Sequence, residues 1–123
     1  MTQEFVPYEL AVKLKELGFD EPCFGYYNGN YEFTFFVDVR SCNTNSEFKF
    51  YPTAPTYSQA FRWFREKYDL FTHIEKGENP KNFYPIIDNV SHKYNPKLWF
   101  DTYEETELAC LEKLIEIVES KSE

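Results

Sequence analysis

Glycine is scarce in this 123-residue chain: there are four, and none are spaced as G-x-G. A phosphate-cradling glycine loop is therefore excluded, and no G-x-S-x-G elbow is present to seat a serine nucleophile. Cysteine is scarce as well. Cys23, Cys42 and Cys110 are an odd number without CxxC spacing, which reads as reduced thiols rather than a disulfide framework or a zinc site. Cys23 has no basic neighbour to lower its pKa and is read as structural. No apolar run approaches the roughly 20 residues of a membrane span. The N-terminus lacks the basic start and apolar stretch of a signal peptide, so the expectation is a cytoplasmic protein with no membrane role. Basic residues are outnumbered, 13 Lys and Arg against 21 Asp and Glu, for a net charge of −8. Generic nucleic-acid binding relies on clustered bases that displace counterions, and it is not expected here.

What the chain has in quantity is rings. Thirteen Phe, ten Tyr and two Trp make 20% of the residues, enough to build a core of aromatics or a ring-rich binding face. Charge is uneven. Residues 98–123 carry eight acids and two bases, whereas residues 61–97 carry seven bases and five acids. Such a layout suits a basic partner at the acidic end.

The chain is organised around Ala54–Glu75. Ala54-Pro55 ends an extended segment, because a residue before proline is pushed out of the helical region. Thr56 and Gln59 then form a capping box. Tyr57, Ala60, Phe61, Phe64 and Tyr68 share one helical face and read as core, with Arg62 opposite and Trp63 and Arg65 on the flanks. A first helix is predicted over residues 7–17, with Pro7 in its first turn, Gly18 at the C′ position and Phe19 folding back on Leu14. A third spans residues 103–119, capped by Thr102 and Glu105, with Leu108, Leu111, Leu114, Ile115 and Val118 inward.

Between the helices the pattern predicts strands. Cys23–Tyr27 leads into Asn28-Gly29, a two-residue hairpin signal. The return strand alternates, with Tyr31, Phe33, Phe35, Val37 and Val39 on the buried face. Glu47–Tyr51 alternates again, with Phe48 and Phe50 inward. Leu70–Lys76 and Phe83–Asp88 follow; Pro85 places the latter at an edge or a bulge. Asn89–Lys97 reads as irregular and Leu98–Phe100 as a last short strand. The fold expected is one α+β domain over residues 1–123, in the order α-β-β-β-α-β-β-β-α. Its helices lie on one face of a mostly antiparallel sheet, and residues 119–123 fray. Phe33, Phe35, Phe61, Phe64, Leu111 and Leu114 are expected to be buried together. Thr56-Tyr57-x-Gln59 and Thr102-Tyr103-x-Glu105 echo each other, which fits shared capping grammar better than a duplication.

The segments Phe5–Asp20, Ala54–Glu75 and Tyr103–Ile117 together resemble small uncharacterised proteins of gut Bacteroides-type bacteria, their phages and mobile elements. The resemblance implies a phage or mobile-element setting and carries over no catalytic or binding residue.

Candidate site residues are few. His73, Glu75, Asp88 and His92 are two histidines and two carboxylates, without H-x-x-E or H-E-x-x-H spacing, and no metal or cofactor is expected. His73 has no marked nucleophile beside it to serve as a base. Arg62, Arg65, Lys67 and Trp63 form a small basic-aromatic patch. With His73, the residues Trp63, Arg62 and Arg65 are the binding candidates, set against an ordinary charged helix face. No catalytic residue is identified. The function expected is a non-enzymatic protein-interaction module, a phage or mobile-element accessory protein. The alternative is a small-molecule or nucleotide binder with an aromatic pocket. The partner expected is a protein or a second copy, taken through the Phe83–Asp88 edge or a ring-rich patch.

Overall fold

The computed structural model of the chain describes residues 4–36, 42–78, 82–88, 93–94 and 99–121. The chain is α+β, with its elements in the expected order, and it divides into two compact units, Met1–Ala60 and Phe61–Glu123. Among the described residues six strands form two antiparallel three-stranded sheets rather than the single sheet expected.

In the first unit, helix α1 covers Tyr8–Leu17. Pro7 stands just outside it as the N-cap, extended at φ −65° and ψ 161°, so its carbonyl, not its ring, starts the helix by accepting from Leu10 and Ala11. Gly18 ends the helix at φ 99°, a left-handed conformation that costs glycine nothing. Phe19 N–H then donates to Leu14 O at 2.9 Å, the closure the sequence predicted, and the Phe19 ring is buried.

Strands β1 (Gly25–Tyr27), β2 (Phe33–Phe35) and β3 (Thr53–Ala54) form the first sheet in the order β2-β1-β3. The hairpin register pairs Tyr27 with Phe33, leaving a five-residue loop where a two-residue turn was expected. The Asn28 side chain is the reason. Its Oδ1 accepts from the N–H groups of Asn30 and Glu32 at 2.9 and 3.1 Å, an Asx-type turn that widens the loop. Tyr31, not Gly29, takes the left-handed position at φ 64°, and its side chain is exposed. Tyr31 therefore leaves the predicted buried face. Phe33 is only half-buried and Phe35 is 56% exposed; Val37 and Val39 lie outside the described residues. Gly25 matters here. A Cβ on it would meet the Phe33 ring and Thr34 O at 2.6 Å, so the ring lies across the glycine of the neighbouring strand.

Glu47–Tyr51 is not a strand. Asn45 is buried, donating to Phe19 O at 2.8 Å and accepting from Thr53 N–H at 3.0 Å. Ser46 N–H donates to Asp20 Oδ1 at 2.6 Å. These bonds tie the segment to the end of α1, and the third strand begins only at Thr53. Residues 47–51 arrive there outside any strand, and Pro52 O accepts from Tyr27 N–H of β1 at 3.0 Å just before β3 begins.

Helix α2 covers Tyr57–Tyr68, and the division between the units falls within it. The predicted capping box is present: Gln59 N–H donates to Thr56 Oγ1 at 3.2 Å and Thr56 N–H to Gln59 Oε1 at 2.9 Å. The buried arc is Tyr57, Ala60, Trp63 and Phe64, with Phe61 and Tyr68 half-buried. It is rotated from the predicted face because Trp63, not Phe61, turns inward. Asp69 closes the helix at φ 57°.

In the second unit, β4 (Phe71–Lys76), β5 (Phe83–Asp88) and β6 (Lys93–Tyr94) lie in the order β4-β5-β6. β5 is thus the central strand, not an edge. Six consecutive pairs join it to β4 without a bulge. Pro85 fits because Phe83 exchanges both backbone hydrogen bonds with Phe100. By strand alternation the Pro85 nitrogen also faces away from β4, so no β4–β5 bond is lost. On that other flank the register changes between Ile87↔Tyr94 and Phe83↔Phe100, with Pro85 inside the interruption. β6 falls in a stretch expected to be irregular, while Leu98 and His92 lie outside the described residues.

Helix α3 runs from Tyr103 to Lys121, past the predicted end, and packs on β5 and β4. Thr102 caps it by accepting from Glu105 N–H at 3.1 Å. Cys110, Leu111, Leu114, Ile115 and Val118 are buried, as is Thr106, whose hydroxyl donates to Thr102 O at 2.8 Å; Leu108 is half-buried. Of the six residues expected in one core, Phe64, Leu111 and Leu114 are fully buried, Phe61 and Phe33 partly, and Phe35 is exposed. The central strand is the first in chain order in one sheet and the second in the other, so the echo between the two helix caps does not extend to the sheets.

Candidate interaction surface

β1 presents alternate rings to the two sides of its sheet. Tyr27 points inward, and its hydroxyl donates to Val6 O at 2.5 Å. Burial, with the Glu9 carboxylate nearby, raises that phenol to about 12. Tyr26 points the other way and is the centre of a ring cluster. Its centroid lies 4.7 Å from Phe48, 5.1 Å from Phe36 and 6.1 Å from Tyr51, the last nearly parallel at 12°. Phe50 extends the cluster, 5.9 Å from Phe48. Tyr26, Phe36 and Phe48 are half-buried, whereas Tyr51 is exposed and Phe50 is 82% exposed. Tyr51 seats beside Gly29, where a Cβ would stand 3.3 Å from its hydroxyl. The signal for this surface was present as the run Phe48-Lys49-Phe50-Tyr51-Pro52. Its alternation predicts a strand with Phe48 and Phe50 inward, but without a neighbouring strand the alternation buries neither side fully.

The residues singled out from sequence belong to the second unit and do not form a groove. Trp63 is only 7% exposed. Its ring meets Phe64 at 5.0 Å and Tyr68 at 5.5 Å, and Lys67 Nζ sits 5.0 Å above it, a cation–π contact that closes the ring off from a stacking partner. Arg62 and Arg65 are exposed on the outer side of α2. His73 is exposed on β4 and bonds Glu75, Nε2 to Oε1, at 3.0 Å. The other Glu75 oxygen accepts from the Tyr84 hydroxyl at 2.7 Å, and that bond raises the Tyr84 phenol above its ordinary value. Asp88 stands opposite Phe71, two positions along the ladder from the His73–Ile86 pair. Among the described residues no three His, Cys, Asp or Glu side chains converge as metal ligands.

Nucleophilic chemistry finds little support among the thiols. All three cysteines are free. Burial pushes Cys23 up to about 11 and Cys110 up to about 12, so both stay protonated near neutral pH and are weak nucleophiles. Among the described residues no helix is long and apolar enough to cross a membrane.

The fold and this surface define the chain as a small α+β protein with an exposed aromatic face on its first sheet. No family model, curated protein or solved structure matches the chain.

Proposed function

We propose that this protein is a non-enzymatic interaction module that takes a protein partner on the ring face built from Tyr26, Phe36, Phe48, Phe50 and Tyr51. The observation that carries the reading is Phe50, held 82% exposed at the rim of four further rings. Contiguous exposed apolar surface of this kind marks interaction sites in soluble proteins, and aromatic anchors dominate the energetics of protein interfaces. Lys49 and Glu47 are exposed beside the rings and supply a polar rim. The resemblance to small proteins of Bacteroides-type bacteria and their phages supports an accessory role in that setting, in the cytoplasm. A second reading, a binder of a small planar ligand such as a nucleotide base, is favoured by the near-parallel Tyr26 and Tyr51 rings.

The test is affinity capture of host proteins by the wild-type chain and by a Phe50→Ser, Tyr51→Ser variant. Both residues are exposed, so the circular dichroism spectrum should not change. A partner held by the wild type and lost from the folded variant is the expected result. A partner retained by the variant overturns the assignment of the surface. Nucleotide titration of the same two proteins checks the second reading.

A further inference from the structure

β4 ends its sheet, and the geometry of β5 decides which of its backbone groups face outward. Phe83 exchanges its bonds with Phe100, away from β4, and Gly77 N–H donates to Asn82 O at 2.7 Å. The β5-facing residues of β4 are therefore Phe71, His73 and Glu75, in register with Asp88, Ile86 and Tyr84. Thr72, Ile74 and Lys76 turn their N–H and C=O groups to the open side, and among the described residues nothing takes them. The strand has no proline and no bulge in six residues, and Thr72 and Ile74 are β-branched; its charged side chains are Glu75 and Lys76, which the register proposed below sets opposite His73 and Thr72 rather than opposite a like charge. Phe71, His73, Glu75 and Lys76 are exposed.

We propose that β4 pairs antiparallel with β4 of a second copy of this chain, about a two-fold axis at Ile74. The register follows from parity. In an antiparallel ladder outward-bonding residues must oppose outward-bonding residues, so Thr72, Ile74 and Lys76 can oppose only one another. Centring on Ile74 places Thr72 opposite the partner's Lys76 and Ile74 opposite the partner's Ile74. On the other face it places His73 opposite the partner's Glu75, twice over. Phe71 then stands opposite the partner's Gly77, which offers no side chain to clash with the ring. Centring one position earlier sets His73 against His73, and centring one position later sets Glu75 against Glu75, so the Ile74 register is the complementary one. A single added ladder buries little area, and the pair is accordingly a weak, concentration-dependent dimer. The inference deepens the reading of the protein as an interaction module but uses a surface separate from the ring face.

Sedimentation over a concentration series, with amide exchange measured on the same samples, tests it. The expected result is a shift from monomer to dimer mass, with the Thr72, Ile74 and Lys76 amides gaining protection as dimer forms. Ile74→Pro removes an outward N–H while leaving the β4–β5 ladder its donors, and it should weaken the dimer by about tenfold or more. If that variant fails to fold, charge reversal serves instead. His73→Glu should weaken self-association, as should a His73→Lys, Glu75→Lys double variant, while an equimolar mixture of the two re-forms a dimer. Constant monomer mass across the series overturns the proposal, as does a dimer in which those three amides stay unprotected. Neither outcome touches partner capture by the ring face, which Phe50→Ser with Tyr51→Ser tests by itself.

Discussion

The two units reach order by different means. In Met1–Ala60 the strands are three, three and two residues long. They are joined by loops whose polar side chains do structural work: Asn28 shapes the hairpin loop, Asn45 clamps α1 to β3, and Asp20 holds Ser46. In Phe61–Glu123 two six-residue strands pair without interruption, and a 19-residue helix packs on them through leucine, isoleucine and valine. The aromatic residues divide accordingly. In the first unit several rings remain on the sheet surface because short strands and no long helix leave them little to pack against. In the second unit aliphatic residues make most of the described core, and Phe64 and Trp63 are the buried rings among the described residues. A unit with a regular apolar core needs few specific polar contacts; one without it depends on them.

The comparison is sharpest at two phenylalanines. Phe64 is fully buried and Phe50 is 82% exposed. Phe64→Ala should cost roughly 3–5 kcal/mol in chemical denaturation, whereas Phe50→Ala should stay within about 0.5 kcal/mol, as surface substitutions do. Equal losses would mean that both rings pack alike and that the ring face is not a free surface.

Asn45 tests whether the first unit depends on its side-chain clamps. Asn45→Ala removes, in a buried site, the hydrogen bond to Phe19 O and the one from Thr53 N–H. A loss of about 2–3 kcal/mol is expected, since an unsatisfied buried group costs about 1–3 kcal/mol. Hydrogen exchange should show the loss in β1 and β3 before β4 and β5. A variant as stable as the wild type would show that the loop is held by packing alone.

The smallest effects are in acid, and they have opposite signs in the two units. Hydrogen bonds from Ser46 hold the Asp20 carboxyl below its ordinary value. A lowered folded-state pKa gives stability that is present above the unfolded pKa, near 4, and is lost as pH falls through the folded one. Burial, with Glu104 adding repulsion, raises Glu107. That group costs stability when ionised, and the cost disappears as pH falls through its raised pKa. Thermal melts between pH 7 and pH 3 should therefore show Asp20→Asn flattening the acid loss and Glu107→Gln steepening it. Glu107→Gln should also be slightly more stable than the wild type at neutral pH. Reversal of either slope would show that the carboxylate environments are misassigned.

The local grammar of the chain was readable without coordinates. Thr56 with Gln59, Thr102 with Glu105, and Gly18 with Phe19 each act within a few residues, so the helix starts and the first helix stop follow from backbone donors and acceptors that need partners nearby. The first two strands of the second unit, the element order and the α+β class were legible for the same reason, whereas β6 lies in a stretch that reads as irregular. Partners distant in sequence were not. Asn28 and Gly29 promised a tight turn, but the Asn28 side chain captured two amides and widened it. Alternation made Phe35, Phe48 and Phe50 look inward, yet alternation says only that two faces differ, and the packed neighbours decide which face is covered. Pro85 signals an edge or a bulge; the strand proves central, and the register changes on the flank that the missing N–H faces. Trp63 was assigned to a flank and is buried under Lys67, because a wide ring finds cover that helical spacing alone does not specify. The helix ends and the class of fold were determined by contacts a few residues long. The split into two sheets, the free side of β4 and the exposed rings beside Tyr26 were decided by contacts across tens of residues, whose energy depends on everything already in place.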